Sequence, residues 1–148
     1  MGTRDRLKAL RLMERITRHQ MEAIGAELST LRAEQAKLET QKDHLKAVSI
    51  QEAKTSTHDT RPYLPAYLDS VRTQQSLWTD EQDKIEEKAV IAEARLMNAF
   101  REVKTREVVL GRVQQEMEQE KERAEIAQMD DAGRALFVLG RNAQAAKT

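Results

Sequence analysis

Apolar side chains recur every three or four residues along two long stretches of the chain, and one short polar stretch separates them. The separating stretch holds both prolines, Pro62 and Pro65. Proline lacks a backbone donor and pushes the preceding residue out of the helical region, so a helix should not continue through it. The pattern predicts a first helix over about residues 3–54, a turn over 55–64 and a second helix over about 65–129. Because Gly133 and Gly140 follow, we expect a flexible tail over residues 130–148.

The apolar spacing is that of a heptad repeat, in which the first and fourth positions, a and d, form the seam between two helices. We therefore predict an all-α fold, a long two-helix antiparallel coiled-coil hairpin that forms a single domain over residues 1–148. The a positions are Leu7, Glu14, Met21, Leu28, Gln35 and Lys42, then Leu68, Gln75, Gln82, Ala89, Leu96, Val103, Leu110, Met117 and Ala124. The d positions are Leu10, Thr17, Ile24, Leu31, Leu38 and Leu45, then Val71, Trp78, Ile85, Ala92, Ala99, Arg106, Val113, Glu120 and Ala127.

The short turn makes the two helices antiparallel neighbours, and it also fixes their alignment. If the turn centres near residue 60, facing positions add up to about 120, with a opposite d. Glu14 then faces Arg106, and Lys42 faces Trp78, where the lysine can lie on the indole. A shift by one heptad would put Glu14 or Arg106 against apolar residues, which costs free energy.

The second helix outlasts the first in this alignment. Residue 3 faces about residue 117, and the sequence that follows, over 116–125, is polar on nearly every side. A single polar helix is either solvated or held by a partner. The apolar run 136–139 lies further along, and it can either fold back on the hairpin or dock into a partner.

Composition excludes several other classes of protein. The chain has 25 basic and 25 acidic residues, so its neutral net charge gives no general attraction to nucleic acid. It has no cysteine, which excludes disulfides and thiolate zinc sites. Neither a membrane-spanning stretch nor a signal peptide is visible, so we expect a cytoplasmic protein.

No pattern of catalytic residues is present. The phosphate-binding, dinucleotide-binding and zinc-protease motifs are missing from the sequence. His19 and Glu22 have a spacing that could share a metal ion, but a single pair lacks the rest of a metal site. We therefore predict a protein that is not an enzyme, with no cofactor and no metal.

Three of the five aromatic residues lie near the turn: Tyr63, Tyr67 and Trp78. They can cap the end of the coiled coil, with Trp78 in the seam, or they can form a surface that binds another protein. Since Tyr63 and Tyr67 cannot both fit a two-helix seam, we expect one of the rings to be exposed.

The chain resembles the FliJ/YscO family, the central stalk proteins of flagellar and injectisome type III export. The closest stretches are Leu7-Lys-Ala-Leu-Arg-Leu-Met-Glu-Arg15, Tyr67-Leu-Asp-Ser-Val71, Phe100-Arg-Glu-Val-Lys104 and Met129-Asp-Asp-Ala-Gly133. The family is similar in architecture to the stalk of the rotary ATP synthase gamma subunit. The resemblance implies a location at the inner-membrane export apparatus and three kinds of partner. These are the hexameric export ATPase, the cytoplasmic domain of the export-gate membrane protein, and export chaperones.

The resemblance also implies where those partners bind. Contacts to the export gate would lie near the turn, on Tyr67, Val71, Gln74 and Trp78, with neighbours around Leu45. Contacts to the ATPase would lie at the opposite, open end of the hairpin, on Leu7, Arg11, Glu118, Glu122, Leu136 and Phe137. The free protein is expected to be a monomer of about 17 kDa. Flagellar and injectisome systems both remain open.

Two alternatives remain. The first is an unrelated coiled-coil tether or oligomerisation rod, although such rods are more often parallel and have no turn broken by proline. The second is a helical protein that binds nucleic acid or metal, against which the neutral charge and the missing basic stripe weigh.

Overall fold

The computed structural model describes residues 2–147, and two long helices make up nearly all of them. Helix α1 spans Thr3–Thr55 and helix α2 spans Leu64–Lys147. A short 3₁₀ helix, Arg61–Tyr63, lies between them, and the described residues contain no strand. The predicted all-α helical hairpin is therefore confirmed, and the predicted helix boundaries at the turn are within one residue of those observed.

Hydroxyl groups and prolines together build the turn. The Thr57 backbone N–H donates to Thr60 Oγ1 at 2.8 Å, and the Arg61 N–H donates to the Thr57 carbonyl at 2.9 Å. Pro62 lies within the 3₁₀ helix, and Pro65 is the second residue of α2. A proline is tolerated there because the first turn of a helix has no intrahelical acceptor for its backbone N–H groups.

The chain divides into two compact units. One unit is Thr17–Glu102, and the other combines the residues up to Ile16 with those from Val103 onward. Both helices contribute residues to each unit. The prediction of one coiled-coil domain over residues 1–148 remains a prediction.

Ion pairs across the Thr17–Glu102 unit establish the alignment of the two helices. Arg32 pairs with Glu86 and Glu93, and Arg95 pairs with Glu27 at 3.4 Å. These pairs connect positions whose numbers add up to about 120, as an antiparallel hairpin centred near residue 60 requires. Ala89 and Ala92 are the most buried side chains, at 0% and 1% exposure. The predicted alignment is therefore confirmed in this unit.

The second unit contains the open end of the hairpin. Leu7 and Val113 are buried, and Leu10 and Leu110 are half-buried, as their heptad positions predict. Met117 is the last half-buried residue of α2, and every residue over 118–147 is exposed. The helix thus continues well beyond its last seam residue, as the alignment predicts.

The predicted end of the second helix near residue 129 is wrong. Helix α2 continues through Gly133 and Gly140 as far as Lys147, and no glycine has a positive φ. Glycine inside a helix costs only about 1 kcal/mol relative to alanine, so two separated glycines do not end a helix. The alanine, leucine and arginine residues around them favour its continuation.

Candidate protein-interaction surfaces

The first candidate surface surrounds the turn. Glu52 and the hydroxyl-bearing residues Thr55, Ser56, Thr57 and Thr60 line a shallow concavity of about 280 Å³ together with Tyr63, Leu64 and Tyr67. Tyr63 is 76% exposed, whereas Tyr67 is half-buried. The expectation that one tyrosine ring is exposed is therefore confirmed. An exposed tyrosine beside hydroxyl groups offers both apolar area and hydrogen bonds to a partner protein.

The four residues implied for the export-gate contact differ in accessibility. Tyr67, Gln74 and Trp78 are half-buried, so part of each side chain can reach a partner. Val71 is only 8% exposed because it occupies a d position in the seam. Most of the Val71 side chain therefore packs in the seam, and its contact with the export gate remains a prediction. The surface near the turn also includes Tyr63, which the resemblance did not include.

Polar residues occupy part of the seam within the Thr17–Glu102 unit. Gln35 Nε2 donates to the Gln82 carbonyl at 3.4 Å, and Gln82 Nε2 donates to the Gln35 carbonyl at 3.3 Å. Lys42 Nζ donates to Gln82 Oε1 at 3.1 Å and lies 3.8 Å from Glu39 Oε2. The lysine ammonium thus has an amide and a carboxylate as partners, and its predicted contact with the indole of Trp78 remains a prediction.

Arg32 forms the charged centre of this seam region, and the sequence pattern did not point to it. Its guanidinium donates to Glu93 and to Glu86, and these hydrogen bonds raise the pKa of Arg32. The Glu86 carboxylate accepts from Gln35 Nε2 at 2.7 Å and from Arg32, and these bonds lower the pKa of Glu86. The heptad could have indicated these bonds, because Arg32, Glu86 and Glu93 all occupy e positions beside the seam.

The second candidate surface is the groove at the open end of the hairpin. It has a volume of about 760 Å³. Its lining residues are Arg4, Leu7, Lys8 and Arg11 from α1 with Gln114, Met117, Glu118, Glu120 and Lys121 from α2. Since the lining is mostly long charged side chains around Leu7 and Met117, the groove suits a partner with mixed charges.

The residues implied for the ATPase contact also differ in accessibility. Arg11, Glu118 and Glu122 are exposed, and Leu136 and Phe137 are 70% and 71% exposed. Leu7 lines the groove but is only 8% exposed, so most of its side chain packs in the seam, and its contact with the ATPase remains a prediction. The apolar run does not fold back on the hairpin, because Val138 and Leu139 are also exposed, at 52% and 65%.

Glu14 and Arg106, the predicted charged pair of the seam, are both half-buried. Their burial agrees with their a and d positions. Their direct pairing remains a prediction.

A third concavity lies on one side of the Thr17–Glu102 unit, and the sequence analysis missed it. It has a volume of about 660 Å³ and is lined by Met21, Glu22, Gly25, Glu93, Leu96, Met97 and Phe100. Gly25 is one of its lining residues, and a Cβ atom there would lie at an ordinary contact distance of 3.9 Å from Leu96 Cδ1. The signal was a glycine inside a long helix, next to the seam.

Metal and membrane sites are not found among residues 2–147. No group of three or more metal-ligating side chains comes together there, and His19 and Glu22 are not part of such a group. Neither helix has a segment long and apolar enough to cross a membrane within these residues. Comparison with protein-family models, curated proteins and solved structures finds no match for this chain.

Proposed function

We propose that this chain is a non-enzymatic stalk and adaptor of a flagellar or type III protein export apparatus. In this role it couples the hexameric export ATPase to the cytoplasmic domain of the membrane export gate, and export chaperones are further partners. The proposal places it in the cytoplasm at the inner-membrane export apparatus. It combines the family resemblance with the surfaces described above.

One observation carries the proposal: α2 continues as an exposed helix after its seam ends. Every residue over 118–147 is exposed, and the segment includes Leu136 and Phe137, each about 70% exposed. Large exposed apolar side chains grouped together are typical of a binding surface. A single helix is also slim enough to enter the centre of a ring-shaped partner, where a wider domain would not fit.

The surface near the turn supports the second half of the proposal. Tyr63 is exposed there, and Tyr67 lines the same shallow concavity. Tyrosine is among the residues that contribute most to protein–protein binding. An adaptor needs two separate binding surfaces, and the turn and the open end lie on different units of the chain.

The experiment measures phosphate release by the purified export ATPase with and without this protein. We expect the full chain to stimulate hydrolysis. Deletion of residues 119–148 should abolish the stimulation, and so should the double variant Leu136→Glu with Phe137→Glu. The control is Asn142→Glu, which adds a negative charge to another exposed residue of the same segment. Stimulation by the truncated chain equal to that by the full chain would contradict the proposal.

A second experiment tests the contact near the turn. Tyr63→Ala and Tyr67→Ala should weaken binding to the purified export-gate cytoplasmic domain, measured by calorimetry, while the helical circular dichroism signal stays the same. The control is Thr73→Ala, an exposed position further along α2. Unchanged affinity of both tyrosine variants would exclude this surface.

A structural tether or oligomerisation rod is the second candidate function. The exposed apolar residues after Met117 favour it, because such residues also serve self-association. The two functions differ in their effect on the ATPase: the stalk stimulates ATP hydrolysis, and a rod does not, so the phosphate-release experiment distinguishes them.

A further inference from the structure

The last part of α2 carries large apolar side chains that the chain itself leaves uncovered. Ile126 is 59% exposed, Met129 is 73% exposed and Leu136 is 70% exposed. A helix of a soluble protein normally buries such residues against a neighbouring element. The segment therefore has the composition of a helix with a partner.

These residues follow a heptad of their own, which we call the C-terminal stripe. Its members are Ile126, Met129, Gly133, Leu136, Gly140 and Ala143. The heptad of the hairpin seam, continued into this segment, would instead fall on Ala127, Asp131, Arg134, Val138 and Arg141. Because three of these five residues are charged, the hairpin seam does not continue as an apolar stripe. The C-terminal stripe is thus a separate seam on another side of the helix.

The two glycines of the stripe have no explanation within the chain. Both are helical, and a Cβ atom at Gly133 or at Gly140 would meet nothing within 4 Å. Each costs about 1 kcal/mol relative to alanine in an exposed helix. What a glycine offers in return is room for a large side chain from a neighbouring helix.

A second copy of the same segment supplies such side chains when the two helices run antiparallel. In that arrangement a positions face d positions, so Gly133 faces Leu136 of the other copy, and Gly140 faces Met129. Ile126 faces Ala143 in the same way. Each layer then contains one large and one small residue, which is how closely packed helices fit together. A parallel pair would put glycine against glycine and leucine against leucine.

Charge favours the same orientation. Glu125 and Asp130 flank the stripe on its two sides, directly before Ile126 and directly after Met129. In a parallel pair the two flanks face each other, so Glu125 of each copy would lie beside Asp130 of the other, with two like-charge contacts. In the antiparallel pair each flank faces itself, and Asp130 lies beside Phe137 or Gln144 of the other copy. Size and charge therefore favour the same orientation.

We propose that two copies of this protein associate through the C-terminal stripe, as an antiparallel, two-fold symmetric pair of α2 segments over residues 126–143. Two single helical segments of this length form a small interface compared with specific complexes, which typically bury about 1,200–2,000 Å² in total, so we expect the pair to dissociate on dilution. The interface covers Leu136, one of the residues proposed to bind the ATPase. On the function proposed above, dimerisation and ATPase binding therefore compete for this residue.

The first test uses the absence of cysteine from the natural chain. Ile126→Cys and Ala143→Cys proteins are made separately, mixed in equal amounts and oxidised. The antiparallel pair predicts that disulfide-linked dimers form mainly in the mixture, between Cys at one position and Cys at the other. Dimers formed as readily by the Ile126→Cys protein alone would indicate a parallel pair and overturn the proposal.

The second test measures molar mass by sedimentation equilibrium over a range of protein concentrations, with no ATPase present. We expect Gly133→Leu to reduce the association constant at least about tenfold, because two leucines then meet in one layer. Adding Leu136→Gly to Gly133→Leu exchanges the large and small residues and should restore association. Asn142→Glu, on the other side of the helix, should leave association unchanged.

These variants separate a packing role from an effect on the helix. Gly133→Leu removes a helical glycine, so it should raise the helical content even as it weakens the dimer. A wild-type protein that remains monomeric at every concentration would overturn the proposal. So would a Gly133→Leu protein that associates as well as the wild type. Because the ATPase is absent from both tests, their outcome is independent of the proposed function.

Discussion

The glutamines of the seam hold the two helices at one alignment. Gln35 and Gln82 each donate from the side chain to the backbone carbonyl of the other, and Lys42 and Glu39 add bonds to Gln82. A shift by one heptad would break the reciprocal bonds and leave polar groups among apolar ones. Polar residues at a positions commonly select one alignment at some cost in stability. The same role fits Gln35 and Gln82.

The bonds to Glu86 predict that the stability of the hairpin depends on pH. Its hydrogen bonds from Gln35 and Arg32 lower its pKa from the ordinary value of 4.5 in the folded protein. A carboxylate whose pKa is lower in the folded protein than in the unfolded protein stabilises the fold at pH values above its unfolded pKa. This stabilisation is lost as the pH falls through the folded pKa. The free energy of unfolding, measured with urea between about pH 3 and pH 7, should therefore fall as the pH is lowered. Glu86→Gln should make this fall smaller.

The control for this prediction is Glu87→Gln at the adjacent, exposed residue. It should keep the pH dependence of the wild type. Equal slopes of unfolding free energy against pH for Glu86→Gln and wild type would mean that the Glu86 bonds contribute nothing.

Glu14 and Arg106 are the charged pair that the alignment predicts at the open end. Both are half-buried, so reversing one charge should leave two like charges in a partly desolvated seam. We expect Arg106→Glu to lower the free energy of unfolding by about 1–2 kcal/mol, and the further change Glu14→Arg to recover part of that loss. Thermal unfolding followed by circular dichroism measures both effects.

Arg112→Glu provides the comparison, because Arg112 is exposed on the same helix. It should change stability by less than Arg106→Glu does. If the double variant is no more stable than Arg106→Glu alone, the two residues do not interact.

Among the elements, the two helices illustrate what a heptad pattern can and cannot predict. The a and d positions from Leu7 to Met117 are buried or half-buried, so the pattern located the seam in both helices. The bonds around Arg32 could not be predicted, because an e-position arginine can reach several partners and the seam pattern does not choose among them. The end of α2 was misplaced for another reason. Glycine was taken as a helix breaker, but its cost is small beside the helix propensity of its neighbours.

The surfaces were less predictable than the elements. The resemblance gave positions along the helices without distinguishing side chains in the seam from those outside it. Val71 and Leu7, both at seam positions, are each only 8% exposed, so the heptad limits how much of either side chain a partner can reach.

A substitution at Gly25 tests whether the third concavity, which is lined by Gly25 and Leu96, is needed for stability. An added Cβ would lie at an ordinary contact distance of 3.9 Å from Leu96 Cδ1. Gly25→Ala should therefore raise the free energy of unfolding by about 0.5–1 kcal/mol, through helix propensity and without strain. Gly111→Ala, where nothing lies within 4 Å, is the matched control and should give a similar gain. A loss of stability in Gly25→Ala alone would show that the gap is structurally required.

In the molecule as a whole, the part of α2 over residues 118–147 packs against no other part of the described chain. Most helical stability in proteins comes from tertiary packing, and residues 118–147 have none within the described chain. Both proposals explain the segment in the same way: it is completed by another protein, either a ring-shaped ATPase or a second copy. A segment without such a partner would gain nothing from Leu136, Phe137 and Leu139 exposed together.

Hydrogen exchange measured by mass spectrometry can distinguish these states in one molecule. In dilute protein we expect amides over 118–147 to exchange orders of magnitude faster than those of the buried seam, because local opening of an unpacked helix requires little free energy. Raising the protein concentration should protect residues 126–143 in particular, if two copies pair there. Adding the ATPase should extend protection to the Glu-rich residues nearer Met117, and salt should weaken it because the contact is partly electrostatic. Slow exchange throughout 118–147 in dilute protein would mean that the helix is stable without a partner, and the main reason for proposing one would be lost.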